Sequence, residues 1–142
     1  MLIVMENVAT LPVGFMVRPA EMADLKTAVS MFNACSLVRT GKEEFSPEDV
    51  LSEWETEDFN LDKSTRVVLS PDEELVGYIE VWDLHSVPVS PWVWGRVHPE
   101  FEGLGIGTYL LEWAEKRVEQ VFPRLPEDAR VVMRSGHIST YE

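Results

Sequence analysis

Three glycines at alternate positions, Gly103, Gly105 and Gly107 in the stretch "FEGLGIGTYLLEW", stand at the start of a helical pattern. Glycine is the poorest helix former after proline, so these residues serve the loop that enters the helix and let something approach its backbone closely. A glycine-rich turn between a strand and a helix aims several N–H groups at one point. That point lies at the positive end of the helix dipole and needs no basic side chain to bind an anion. Phosphate is the natural guest. The dinucleotide fingerprint G-x-G-x-x-G does not fit glycines at 103, 105 and 107, and no acid-ended second βαβ unit follows. The P-loop is excluded too, because Thr108 follows Gly107 directly and the Lys-Ser/Thr pair is missing. From the glycines alone, a tight turn with close helix packing is an equal reading. Elsewhere Cys35, His85, His98 and His137 have no metal-ligand spacing, and there is no Gly-x-Ser-x-Gly elbow. No metal is expected.

The elements that must position this loop can be read around it. "VGFMVRP", from Val13 to Pro19, alternates as a strand, and Met22, Leu25, Ala28, Val29, Phe32 and Ala34 or Cys35 then recur at helical spacing. Ser46, Pro47 and Glu48 open a second helix, predicted to run to about Phe59: Ser caps, Pro takes the first helical position and the acids suit the positive end. "TRVVLS" and "LVGYIEVWDL" flank the polar turn "PDEE" as an antiparallel hairpin. "WVWGRVHP" is a further strand leading into the glycine loop. From Thr108 onward Leu110, Leu111, Ala114, Val118, Val121 and Phe122 make one apolar helical face, and "RVVMRS" offers a last strand. The order is β-α-α-β-β-β-α-β, an α/β chain with a mixed sheet rather than a uniform βαβ alternation.

Composition bounds the rest. A chain of 142 residues, 45% hydrophobic and 26% charged, is expected to form a single domain over residues 1–142 with one core. No apolar run approaches the roughly 18 residues that cross a bilayer, and "MLIVM" is too short for a signal-peptide core, so no membrane role is expected and a cytoplasmic location is. The lone Cys35 lies within the first helical pattern and is read as core filling rather than as a nucleophile. A net charge of −13, from 12 basic and 25 acidic residues, argues against nucleic acid and is compatible with a cationic substrate, although surface acids that simply keep the protein in solution are the stronger reading and charge alone chooses no function.

The stretch "VHPEFEGLGIGTYLLEWAEKR" resembles the acyl-CoA signature of the GNAT superfamily of N-acetyltransferases, roughly V-x-P-x-x-R/Q-G-x-G-I/L-G-S/T-x-L-L. "FMVRPAEMADLKTAVSMFN" is similar to that family's first strand and helix, and "ELVGYIEVW" to its third strand. The resemblance spans about Val13 to Ser135. It implies the GNAT fold and an N-acetyltransferase acting between acetyl-CoA and a primary amine of a small molecule or protein. It further implies that the amides of Gly103, Leu104, Gly105, Ile106, Gly107 and Thr108 cradle the pyrophosphate, with the Thr108 hydroxyl adding a bond. The backbone around Arg96, Val97 and His98 would hold the pantetheine arm and polarise the thioester. The segment from Val38 to Phe45 lies where relatives build the acceptor site.

Three features depart from the family pattern. Glu102 stands where the signature has Arg or Gln. A carboxylate about 6 Å from a phosphate costs about 0.7 kcal/mol in water's dielectric and about 3 kcal/mol at an effective value near 20. Many relatives place a glutamate near the beginning of the fourth strand, but residues 86–95 hold no acid and no histidine. Glu80, His98 and His85 are the candidates for a substitute base, each able to act through water; for each the ordinary structural reading, as a strand face, a loop edge and a surface turn, is the stronger one. The family continues past its fifth strand with a helix and two more strands, whereas only seven residues follow Ser135 here, so Tyr141 is given no acid role. The chain reads as lacking those elements, through truncation or as half of a tandem protein. Its open strand edge leads us to expect a homodimer or association with a second GNAT domain. The second reading of function is accordingly a degenerate, non-catalytic acyl-CoA-binding or structural half. Trp92 and Trp94 share a face of the fourth strand and, with Trp82, either wall the acceptor cleft or simply pack the core.

Overall fold

The computed structural model describes residues 11–57, 59–82, 92–119 and 134–135. Strand β1 is Met16–Arg18, followed by a 3-10 turn at Met22–Asp24 and helix α1, Leu25–Thr40. Helix α2 is Pro47–Trp54, and a single helical turn, α3, spans Leu61–Ser64. Strands β2 and β3 are Thr65–Leu69 and Leu75–Trp82, and β4 is Trp92–Val97. A second 3-10 turn at Pro99–Phe101 leads through the glycine loop to α4, Ile106–Glu119, and β5 is Arg134–Ser135. The expected order of elements is present, with α3 and the 3-10 turns added to it.

One five-stranded sheet runs β1-β2-β3-β4-β5 in space as in sequence. The first four strands are antiparallel and β4 pairs with β5 in parallel, as the helical crossover α4 between them requires. Helices cover both faces. On one side Ala28, Val29 and Phe32 of α1 and Trp54 of α2 pack on Val67 and Tyr78. On the other, Ile106, Leu110, Ala114 and Val118 of α4 pack on Ile79, Val81, Val93 and Val97. Burial on both faces is why β3 reads as a nearly continuous apolar run. No helix among the described residues is long and apolar enough to cross a membrane.

Local chemistry accounts for the boundaries. The Ser46 hydroxyl accepts from Asp49 N–H at 3.1 Å, with Pro47 at the first helical position, as the sequence predicts. Gly41, at φ 78°, ends α1 in the left-handed conformation and donates to Leu37 C=O at 2.9 Å. Helix α2 stops at Trp54 rather than near Phe59. The acids Glu55 and Glu57 fall at its negative end, where they oppose the dipole, and the Asn60 side chain accepts from Lys63 N–H at 3.1 Å to start α3. Phe59 is freed to stack on Trp82, ring centroids 4.2 Å apart. Helix α4 begins at Ile106, two residues before the predicted Thr108.

Gly77 sets how closely α4 approaches the sheet. A Cβ on it would lie 2.9 Å from Ile106 Cγ2, 3.2 Å from Val68 Cβ and 3.3 Å from Leu110 Cδ1. The first turn of α4 thus rests on the bare backbone of β3, which fixes the glycine loop just ahead of it.

Candidate active site

Strand alternation carries Tyr78, Glu80 and Trp82 of β3 to the face covered by α1 and α2, together with Trp94, which is opposite Glu80 in the register. Glu80 is only 6% exposed. Its Oε1 accepts from the Tyr78 hydroxyl at 2.5 Å and its Oε2 from the Trp82 indole N–H at 2.6 Å. Trp54 completes the chain by donating its indole N–H to the Tyr78 oxygen at 3.1 Å. Burial pushes the Glu80 carboxyl up to about 7, although the hydrogen bonds from Tyr78 and Trp82 work in the opposite direction. Burial also raises the Tyr78 hydroxyl well above its ordinary value, with the Glu80 charge adding to it, so Tyr78 acts as a neutral donor. A carboxyl that titrates near neutrality at a cavity wall has the properties of a general base.

That cavity has a volume of about 130 Å³ and is lined by Phe32, Phe45, Val50, Glu53, Glu80 and Trp94. Phe32 and Trp94 meet edge to face at 4.9 Å, and Phe45 lies 5.5 Å from Phe32 and 5.7 Å from Trp94. Asn33 fixes the Phe45 wall from both sides of its amide group: its Nδ2 donates to Phe45 C=O at 3.0 Å, and its Oδ1 accepts from Phe45 N–H at 2.9 Å. Glu53 is an exposed residue and stands at the mouth, while Glu80 forms the buried floor. Partial burial, and then the charge of Asp49, raise the Glu53 carboxyl.

Next to Trp94 runs the far edge of β4. The bond from His98 N–H to Val76 C=O, 2.9 Å, sets the phase of the antiparallel ladder, so Arg96 and Trp94 exchange bonds with β3 while Gly95 and Val97 turn their main-chain groups the other way. Two carbonyls on that side are engaged: Gly95 C=O by Arg96 Nη1 at 2.8 Å and Val97 C=O by the Cys35 thiol at 3.2 Å. Among the described residues β5 pairs only with Trp92 and Val93. Among the described residues the Gly95 and Val97 amides are therefore the donors this edge presents. The Cys35 thiol, pushed up to about 11 by burial, is a neutral packing group.

The glycine loop closes the arrangement. Gly103 and Gly105 have φ of +83° and +85°, the left-handed region that only glycine enters at little cost, and a Cβ on either would meet nothing within 4 Å. The space in front of the loop is open. The first bond of α4 runs from Tyr109 N–H to Gly105 C=O at 3.0 Å, so the amides of Ile106, Gly107 and Thr108 precede the helical ladder. Thr108 is exposed, Gly107 and Ile106 are buried, Leu104 is exposed, and Glu102 projects to the surface. Positive-φ glycines, open space and a helix N-terminus fit a pyrophosphate.

The sequence-derived candidates separate in space. Glu80 is in the cavity. His98 lies four residues along β4 from Trp94, about 13 Å away, and its Nδ1 accepts from Glu100 N–H at 3.0 Å as the cap of the second 3-10 turn. Its ring packs edge-on against Phe101. Arg96 is buried with its guanidinium over the Trp94 ring, 4.4 Å from the centroid, and its Nε has no partner. His85, His137 and Tyr141 lie outside the described residues, as does the Trp92 side chain. Glu53 and the Trp54–Tyr78 relay were not anticipated. The alternating "YIEVW" carried the only local signal, three polar-tipped side chains on one strand face. Among the described residues no group of His, Cys, Asp and Glu is arranged to hold a metal.

A mixed sheet with α1 and α2 on one face, α4 on the other and a glycine loop at the end of β4 is the acyl-CoA N-acyltransferase architecture. The model of the acetyltransferase (GNAT) family matches residues 30–127, and the chain belongs to that family. Among solved structures it is similar to a GNAT acetyltransferase from Sphaerobacter thermophilus, with 31% identity and a TM-score of 0.80. That match covers 89% of this chain but only 39% of the Sphaerobacter protein. It also shares its fold with the Salmonella typhimurium protein yncA, whose structure holds its cofactor acetyl-CoA, at 19% identity and a TM-score of 0.64 over 90% of this chain and 72% of that one. A GNAT acetyltransferase from Kribbella flavida aligns at 21% identity and a TM-score of 0.58 over 75% and 66%. A search of curated protein sequences returns no significant match.

Proposed function

We propose that this chain, as one GNAT domain, uses acetyl-CoA as co-substrate and transfers the acetyl group to a primary amine, with Glu80 as the base. The observation that carries the reading is Glu80 itself. It is a buried carboxyl titrating near 7 at the floor of a cavity, and Trp94, opposite it, is followed by the edge amide of Gly95. The amides of Gly103 to Thr108 would bind the pyrophosphate, with the Thr108 hydroxyl reaching it from the exposed side of the first turn. Glu102 is exposed, so screening by solvent keeps its cost to that binding toward the lower end of the expected range.

Bound there, acetyl-CoA supplies the thioester whose carbonyl carbon the amine nitrogen attacks, the C–N bond forming as the C–S bond breaks. Glu80 takes one proton from the incoming ammonium group to free its lone pair. Tyr78 and Trp82 hold the carboxylate in place while it does so. The second nitrogen proton leaves with the departing sulfur, so the sum is an amide, a thiol and one proton held by Glu80. Gly95 and Val97 N–H point at the edge where a carbonyl oxygen gains charge, and fixed donors of this kind stabilise it without reorganising. His98 is left to cap its turn.

Titration of acetyl-CoA into the chain, with Gly105→Glu as the control, tests the reading. Micromolar binding abolished by the substitution, followed by acetyl transfer to a panel of amines, is expected. Absence of binding by the intact chain would refute it and favour the degenerate-half reading.

A further inference from the structure

The cavity above Glu80 has an unusual lining: three aromatic rings, one valine and two carboxylates, with no basic side chain among them. Carboxylates at the floor and mouth repel one another when both are ionised, and a cation between them relieves that repulsion. Aromatic faces add attraction for an ammonium ion while giving its alkyl chain an apolar wall. Arg96 is stacked on the Trp94 ring and hydrogen-bonded to Gly95 C=O, and it does not line the space. At about 130 Å³ the cavity admits a chain of a few carbons, and it is smaller than the pockets that enclose whole drug-sized ligands.

We infer that this cavity is an alkylammonium site: it takes an unbranched aliphatic chain ending in a primary amine with no anionic group beside it, walled by Phe32, Phe45 and Trp94 and held by Glu53 and Glu80. The inference rests on the proposed transferase reading only in naming this amine as the acetyl acceptor. A polyamine, or a lysine-like chain end, has this chemistry; a free α-amino acid, with its carboxylate next to the nitrogen, does not. The Asn33 clamp on Phe45 supports it, because a wall fixed at both its N–H and its C=O is preformed rather than assembled by the ligand. The protein's net charge of −13 also concentrates cations at its surface.

The test uses n-butylammonium, n-butanol and n-butyrate as probes of the full chain without acetyl-CoA, at constant ionic strength. Binding is followed by tryptophan fluorescence and calorimetry. Butylammonium is expected to bind saturably and at least tenfold more tightly than butanol, with butyrate not binding. Glu53→Gln, at an exposed position that leaves the fold intact, should weaken butylammonium several-fold without changing butanol, and Trp94→Phe should weaken both. Equal binding of butanol and butylammonium, preference for butyrate, or no binding of butylammonium overturns the site. The two readings fail separately. Butylammonium binding with no acetyl transfer would retain the site and remove the transferase, whereas transfer preferring glycine over butylamine would retain the transferase and overturn the alkylammonium site.

Discussion

The Tyr78 hydroxyl donates to Glu80 Oε1 at 2.5 Å from two residues earlier on the same strand, and its oxygen in turn accepts from Trp54 N–H at 3.1 Å. The bond stabilises the charged form of Glu80 and opposes the burial that raises it. Tyr78→Phe should therefore move the Glu80 titration upward. It should also cost about 1–3 kcal/mol of stability, because the buried Trp54 donor loses its acceptor. The pH at half-maximal kcat/KM and the urea midpoint measure the two effects on one variant. A downward shift in the pH profile would contradict the assigned direction of the bond.

On the proposed reading, in which Glu80 is the base, the carboxyl works ionised in the free enzyme, so kcat/KM should climb with pH through about 7 and level off above it. Glu80→Gln keeps the shape of the side chain and an oxygen for the Trp82 donor but cannot take a proton. It should lower kcat/KM by about 10²–10⁴-fold and remove the inflection. Retained activity with an unchanged inflection would move the role to another group.

The same carboxyl links folding to pH. Its ordinary value is 4.5 and its value in the fold about 7, so between these the native state binds more protons than the unfolded chain, and stability falls as pH rises. Glu80's contribution is fully present below 4.5 and is lost as pH passes 7, a total of about 3 kcal/mol at 1.36 kcal/mol per tenfold change. Groups common to both proteins cancel when wild type and Glu80→Gln are compared. Relative to wild type, the variant should thus gain about 3 kcal/mol between pH 4 and pH 9. Urea unfolding at both values measures this double difference.

Gly77 couples the sheet to the loop. A methyl group there meets Ile106, Val68 and Leu110 at 2.9–3.3 Å, and Ile106 directly follows Gly105. Gly77→Ala should cost roughly 1–3 kcal/mol through overpacking. It should also weaken acetyl-CoA, since α4 must shift. Gly77→Val should be worse on both counts. Thermal unfolding and calorimetric titration of the same samples check the pairing; full affinity in a destabilised Gly77→Ala protein would break it.

The legibility of this site in the sequence followed the range of its interactions. The glycine loop was visible because a left-handed backbone demands glycine at particular positions, and Gly103 and Gly105 have that conformation. The α2 cap at Ser46 was visible because it closes within three residues. Glu80 showed only as one acid on an apolar strand, and what singles it out is remote. Trp54 reaches it through Tyr78 across 24 residues, and α2 brings Glu53 to the same cavity. The end of α2 was misplaced because Phe59 continues the helical spacing, yet its ring gains more from stacking on Trp82, a contact the local pattern does not encode.

Gly41 and Gly105 offer a way to separate backbone strain from binding. Both have positive φ, 78° and 85°, and on neither would a Cβ touch anything within 4 Å, so alanine costs each about 1 kcal/mol through backbone conformation alone. Their surroundings differ: Gly41 ends α1, whereas Gly105 directly precedes the first turn of α4. If the loop holds the pyrophosphate as proposed, Gly105→Ala should therefore lose acetyl-CoA affinity by tenfold or more, as the methyl group enters the open space before the loop. Gly41→Ala, equally destabilised, should bind as wild type does. Equal losses in both variants would mean that affinity merely tracks stability and that the open space before Gly105 is not the phosphate site.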